Sequence, residues 1–129
     1  MNRDSTVRII RSHFDDVREG GSNMLRAERR RDGKTMSVHY FDFSEAAASE
    51  DFHLKDYLQQ SFASDFYKNE GSLQWNYYLY FVFDKPSFAK ISATPRLKEI
   101  ESDRTFARKF VREYHVSIQD SLWVAPSGC

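Results

Sequence analysis

Two short stretches hold residue types that could do chemistry. Gly33-Lys34-Thr35 has the ending of a phosphate-binding loop, in which a lysine reaches the outer phosphates and a hydroxyl holds magnesium. That loop needs another glycine five residues before Gly33, where Glu28 stands, and Arg29, Arg30 and Arg31 fill the interval. A charged, extended arm does not wrap a triphosphate, so the stretch reads as a hairpin turn. Asp32-Gly33-Lys34 is also the Asp-x-Lys triplet of some metal-dependent nucleases, with Asp42 as the nearest candidate for the second carboxylate that shares the metal. A turn tip would not fix such a geometry. His13, His39, His53 and His115 have no histidine or cysteine at helical spacing, so a zinc site would have to be assembled from distant elements. Four ordinary surface or boundary histidines are expected instead. No serine, cysteine or lysine stands in a nucleophile motif. The expectation is therefore a protein without catalysis, metal or cofactor.

Two basic clusters remain. Arg26, Arg29, Arg30, Arg31 and Lys34 lie in one stretch; Arg96, Lys98, Arg104, Arg108, Lys109 and Arg112 lie in another. Either could contact phosphates. Glu28, Asp32, Glu99, Glu101, Asp103 and Glu113 interleave with them and blunt the field, as on a solvated, charge-mixed surface. Over the whole chain 19 basic residues balance 19 acidic ones, which excludes a global pull toward nucleic acid or an anionic membrane. The only cysteine, Cys129, excludes a disulfide framework and points to a reducing compartment. "MNRDSTVRII" lacks the apolar centre of a signal peptide, and no apolar run approaches the ~20 residues of a membrane helix. A cytoplasmic chain of 129 residues, folded as a single domain, is expected.

The elements that would position these residues follow from periodicity. Val7, Ile10, Phe14 and Val17 are spaced 3, 4, 3, which predicts an amphipathic helix over 5–19, with Ser5 as its N-cap and Gly20-Gly21 as its stop. Residues 23–43 read as a hairpin about Asp32-Gly33. Its return arm puts Met36, Val38 and Tyr40 on one face and Ser37, His39, Phe41 and Phe43 on the other; its charged first arm reads as an edge strand. "SEAAASED" reads as a small, polar connector, or its alanines equally begin the next helix. Leu54, Leu58, Phe62 and Phe66 form one apolar stripe on a helix over 51–67.

In "SLQWNYYLYFVFDK", residues 72–85, Leu73, Trp75, Tyr77, Leu79, Phe81 and Phe83 alternate with Gln74, Asn76, Tyr78, Tyr80 and Val82. The stretch predicts an interior strand buried on both faces, with Tyr78 and Tyr80 under one of the two helices, rather than a base-stacking platform. "DKPS" closes it. Thr94-Pro95 reads as the start of a short helix that faces Leu97 and Ile100 inward, and "TFARKFV", 105–111, as a last strand. The expected fold is α+β, in the order α-β-β-α-β-α-β, with a mainly antiparallel sheet and helices packed on one side.

"WNYYLYFVFD" followed by "LKEIESDRTFARKFV" resembles the middle-component proteins of ABC-three-component defence systems of the Lamassu kind. In these an aromatic-rich strand is followed by a short acidic helix and an "IE-x-D-x-x-x-x-RK" segment, here Ile100, Glu101, Asp103, Arg108 and Lys109. The match covers about 72–111. The resemblance implies a non-enzymatic adaptor subunit of a prokaryotic antiviral or antiplasmid complex, bridging an SMC-like or ABC-type ATPase and an effector. It further implies Glu101, Asp103, Arg108 and Lys109 as partner contacts. Neighbours on a strand point to opposite faces, so at most one of Arg108 and Lys109 should face a partner freely, and the other should lie at the sheet's margin or pair with an acid such as Glu101 or Asp103. The family's proteins continue beyond "SLWVAPSGC", so a C-terminal continuation is expected to be lacking here. The alternative is a small nucleic-acid-binding or nuclease-like domain that uses Arg26, Arg29, Arg30, Arg31 and Lys34.

Overall fold

A computed structural model describes residues 3–19, 23–63 and 76–114. Helix α1 (Arg3–His13) leads into strand β1 (Asp16–Glu19), then β2 (Met24–Arg31) and β3 (Lys34–Asp42). A 3-10 turn at Ala46–Ala48 precedes α2 (Leu54–Ser61), and β4 (Tyr77–Phe83) follows. Helices α3 (Lys85–Ser92) and α4 (Arg96–Ser102) lead to β5 (Arg108–Glu113). The five strands form one sheet in sequence order. β1 with β2 and β2 with β3 are antiparallel, whereas β3 with β4 and β4 with β5 are parallel. The fold is thus α+β, but the sheet is mixed rather than mainly antiparallel. The reason is connectivity: a hairpin reverses the chain, while a helical crossover returns it to the same end of the sheet.

Asp32 (φ 53°) and Gly33 (φ 78°) both take left-handed backbone, the mirror-image turn that matches the twist of two paired strands. The register slips between Arg29↔Ser37 and Arg30↔Thr35, so Met36 is an extra residue on β3. This bulge turns Thr35, not Met36, toward Glu28 on the Val38 and Tyr40 face, and Met36 stays exposed. The charged arm β2 is not an edge; β1 covers it. β1 is only "DVRE", and pairing with β2 makes it a strand rather than any apolar pattern of its own.

The sheet is covered on both faces, not one. Val38, Tyr40, Tyr77, Leu79, Phe81, Phe83 and Val111 pack with Leu58 and Phe62 of the α2 region, Ile91 of α3 and Ile100 of α4. On the opposite face Leu25, Ala27, Phe41, Phe43, Tyr78, Tyr80 and Val82 pack under Ile10 and Phe14, from α1 and its C-terminal end. All seven residues of β4 are buried, which fits an interior strand between two layers. Each large side chain gains roughly 1.5–3 kcal/mol on burial, so this strand anchors both cores. The helix expected over 5–19 stops at His13. Val17 keeps its place because β1 runs back along the same face. "DKPS" opens α3 instead of a loop: Asp84 accepts the Ser87 backbone N–H at 2.9 Å, and Pro86 sits in the first turn. Thr94 does not cap α4; its hydroxyl donates to the Ile91 carbonyl and closes α3. Trp75, Leu73, Phe66 and His115 lie outside the described residues. Among the described residues no helix is long and apolar enough to cross a membrane.

Candidate anion-binding site

The hairpin arginines divide between the faces of β2, because successive side chains alternate. Arg26 and Arg30 turn toward Glu28. Glu28 is 5 % exposed and accepts hydrogen bonds from Thr35 Oγ1 (2.7 Å), Arg30 Nε (3.2 Å) and the Arg26 guanidinium. Burial pushes the Glu28 carboxyl up, but the Thr35 and Arg26 hydrogen bonds and the Arg26 charge outweigh it and hold it at about 2. Arg26 also donates to Tyr40 Oη at 3.2 Å, and Arg30 reaches Asp16 at 3.4 Å. These two arginines neutralise a buried acid. Lys34 is exposed beside the turn, in register with Arg31.

Arg29 and Arg31 instead border a cleft of about 620 Å³ at the hairpin end of the sheet, between the C-terminal end of α1 and the starts of β3 and β4. Its lining includes His13, Asp15, Ser37, His39 and Tyr78, and Arg30 also reaches its rim. The Arg29 guanidinium lies 4.6 Å from the Phe14 ring centroid, and its buried Nε has no hydrogen-bond partner among the described residues. His39 is 1 % exposed, not a surface residue. It stacks on Tyr78 at 4.8 Å, contacts Phe14 at 4.8 Å, and shares a 2.8 Å hydrogen bond between Nε2 and Ser37 Oγ. Its Nδ1 is buried and likewise has no partner among the described residues. Burial, helped by the Arg29 charge, pushes His39 down to about 3, so the ring is neutral at pH 7. Two buried, unpartnered nitrogens in one wall are unusual, since such a group costs ~1–3 kcal/mol unless something satisfies it.

The segment that carries the family resemblance forms an internal clip. Ile100 is in the core. Glu101 Oε2 accepts the Val111 backbone N–H at 2.9 Å and Arg112 at 3.1 Å, which ties α4 to β5. Lys109 has a fully buried side chain. Its Nζ donates to Asp103 Oδ1 (2.8 Å) and to the carbonyls of Asp103 (3.1 Å), Thr105 (2.7 Å) and Ala107 (2.7 Å). Burial pushes the Lys109 ammonium down against the pull of Asp103. Asp103 itself is held low by hydrogen bonds from Lys109 and Thr105, which outweigh its own burial. Arg108 alone of the four projects outward, and its guanidinium lies 6.0 Å from the Tyr78 ring centroid. His39, Tyr78 and Arg108 are consecutive partners across β3, β4 and β5. The outward arginine of the last strand therefore stands beside the aromatic that lines the hairpin cleft.

The Asp32–Lys34 triplet and Asp42 are not brought together. They sit at opposite ends of β3, whose eight steps from Lys34 to Asp42 span roughly 27 Å. Asp42 is committed to Ser44 and to the Tyr57 hydroxyl, whose proton is held by burial first and by the Asp42 charge second. His53 sits at the N-cap of α2, away from the cleft. A second hollow of similar volume, by the 3-10 turn and α3, is lined by Lys90 and Arg96, but Arg96 is spent on the carbonyls of Ala47 and Ser49. Sequence reasoning missed His39 as a buried group; its alternation with Phe41 on β3 was the available signal. Compared with models of known protein families, with curated proteins and with solved structures, the chain matches none.

Proposed function

We propose that the protein works by binding, as a non-enzymatic adaptor subunit of a prokaryotic antiviral or antiplasmid complex that bridges an SMC-like or ABC-type ATPase and an effector. One observation carries the preference for binding over catalysis. Among the described residues the buried carboxylates and the buried lysine are spent on the fold: Glu28 on Arg26 and Arg30, Asp42 on Tyr57 and Ser44, Lys109 on Asp103 and three carbonyls. His39, held at about 3, is a poor base at neutral pH. The resemblance supplies the complex, and the internal clip gives its "IE-x-D-x-x-x-x-RK" segment a role in closing the fold. The partner surface then falls to Arg108 and its surroundings rather than to Glu101, Asp103 and Lys109. Purified protein assayed with magnesium, manganese or zinc on DNA, RNA and ATP should show no turnover. Turnover that persists through purification and disappears in Asp32→Ala or Asp42→Ala defeats this reading. A second reading, contact with nucleic acid, is favoured by Arg29, Arg31 and Arg108 sharing one end of the sheet.

A further inference from the structure

The geometry points to the hairpin cleft as a phosphate-binding site for a nucleic-acid strand, with Arg29 and Arg31 on one side, Arg108 on the other, and His39 in the wall between them. The inference deepens the nucleic-acid reading; it shares Arg108 with the partner surface of the adaptor reading, and binding of oligonucleotide by this chain alone tells the two apart.

Three features support it. First, Arg31 and Arg108, from different basic clusters and more than seventy residues apart in sequence, come to the same end of the sheet. Arg29 and Arg31 come from the end of β2, and Arg108 opens β5. Strands lie about 4.8 Å apart, so the row from β2 across β3 and β4 to β5 spans ~14 Å, room for more than one phosphate. Second, these three guanidinium groups, unlike those of Arg26 and Arg30, carry no carboxylate partner among the described residues. The opposing charges are Asp15, which accepts the Arg30 backbone N–H at 2.6 Å, and the negative end of α1. A helix end amounts to about half a charge. Three cations against one carboxylate and half a charge leave the cleft positive. Third, two buried nitrogens have no hydrogen-bond partner among the described residues: Arg29 Nε, a donor, and His39 Nδ1. If Ser37 Oγ donates to His39 Nε2, the ring proton sits on Nδ1, and both nitrogens then donate to an anion. A phosphate oxygen between them satisfies both at once. A carboxylate of an acidic protein partner offers the same two charged oxygens; a strand is favoured because it places successive anions along the row.

The test is fluorescence anisotropy with labelled oligo(dT), single-stranded and as a duplex with oligo(dA), over a salt series. The log–log slope of affinity against salt should fall by roughly 0.7 on the single strand, or 0.9 on the duplex, for each of Arg29→Ala, Arg31→Ala and Arg108→Ala. Lys90→Ala, exposed on the far side, should leave it unchanged. As a second readout, the His39 ring resonances should shift on saturation with oligo(dT), and the histidine should titrate closer to neutrality than in the free protein. Equal slopes in all four variants overturn the site. So does preferential binding of poly-glutamate that oligo(dT) does not displace, which would assign the cleft to an acidic protein segment. Loss of binding in Arg29→Ala through unfolding is told apart by Arg31→Ala and Arg108→Ala, whose side chains are exposed.

Discussion

Replacing Lys109 by methionine keeps the buried aliphatic stem and removes the ammonium. Four acceptors then lose their donor: Asp103 Oδ1 and the carbonyls of Asp103, Thr105 and Ala107. Taking one partner from a fully buried ion pair costs ~3–5 kcal/mol. Here the carboxylate is the more exposed partner, at 22 %, and it keeps its bond from the Thr105 backbone N–H at 2.8 Å, so its stranding is milder. The three carbonyls dominate, at about 1 kcal/mol each, partly offset by the burial of a more apolar side chain. A net loss of about 2–3 kcal/mol follows. At roughly 2.1 cal/mol/K per residue, that lowers the melting temperature by about 7–11 °C. Asp103→Asn leaves the three carbonyl bonds in place and should cost only about 1 kcal/mol. Arg108→Met, one residue away and exposed, is the control and should melt as the parent does. Differential scanning calorimetry of the three variants decides the matter. A Lys109→Met protein melting within ~2 °C of the parent would refute the clip.

Phe81→Ala and Leu79→Ala, both in β4, should each cost about 2–5 kcal/mol in urea titrations; near-native midpoints would mean that the strand is not core. His39 binds its proton less readily folded, at about 3, than unfolded, near 6.5, so its contribution to stability is complete above 6.5 and is lost as pH falls toward 3. The slope is at most ~1.4 kcal/mol per pH unit, and His39→Phe should flatten the stability curve between pH 6.5 and 4.5. Glu28 is depressed in the folded state from 4.5 to about 2, so its share is present above 4.5 and lost below it; Glu28→Gln should remove that acid limb while leaving the His39 one. Gly33→Ala meets no atom within 4 Å, so only its left-handed backbone is penalised, by ~1–2 kcal/mol; a change below 0.3 kcal/mol would mean the turn is not of the mirror-image type.

The hairpin, its Asp32-Gly33 turn and the doubly buried β4 were legible because alternation and turn chemistry act locally. β1 was not, because "DVRE" has no apolar pattern and becomes a strand only by pairing with β2. The start of α3 was misread although Asp84, Pro86 and Ser87 spell a helix N-terminus; the strand before it made "DKPS" look like a stop. The end of α1 at His13 was hidden because Val17 continues the spacing of Val7, Ile10 and Phe14 from a different element. Of the site, the arginines were visible as clusters, but not their division. Arg29 and Arg30 are neighbours in sequence, yet one stacks on Phe14 and the other neutralises Glu28. The bulge at Met36, which decides which hydroxyl reaches Glu28, has no signature in composition.

The central claim is that this chain acts by binding within a larger complex. Its most direct test is to look for an SMC-like or ABC-type ATPase gene beside this one and to co-express the two, followed by light scattering on the purified sample. The account predicts a single complex whose mass contains both chains and which survives Lys90→Ala. A monomeric chain of 15.2 kDa eluting apart from the ATPase at every salt concentration would contradict it.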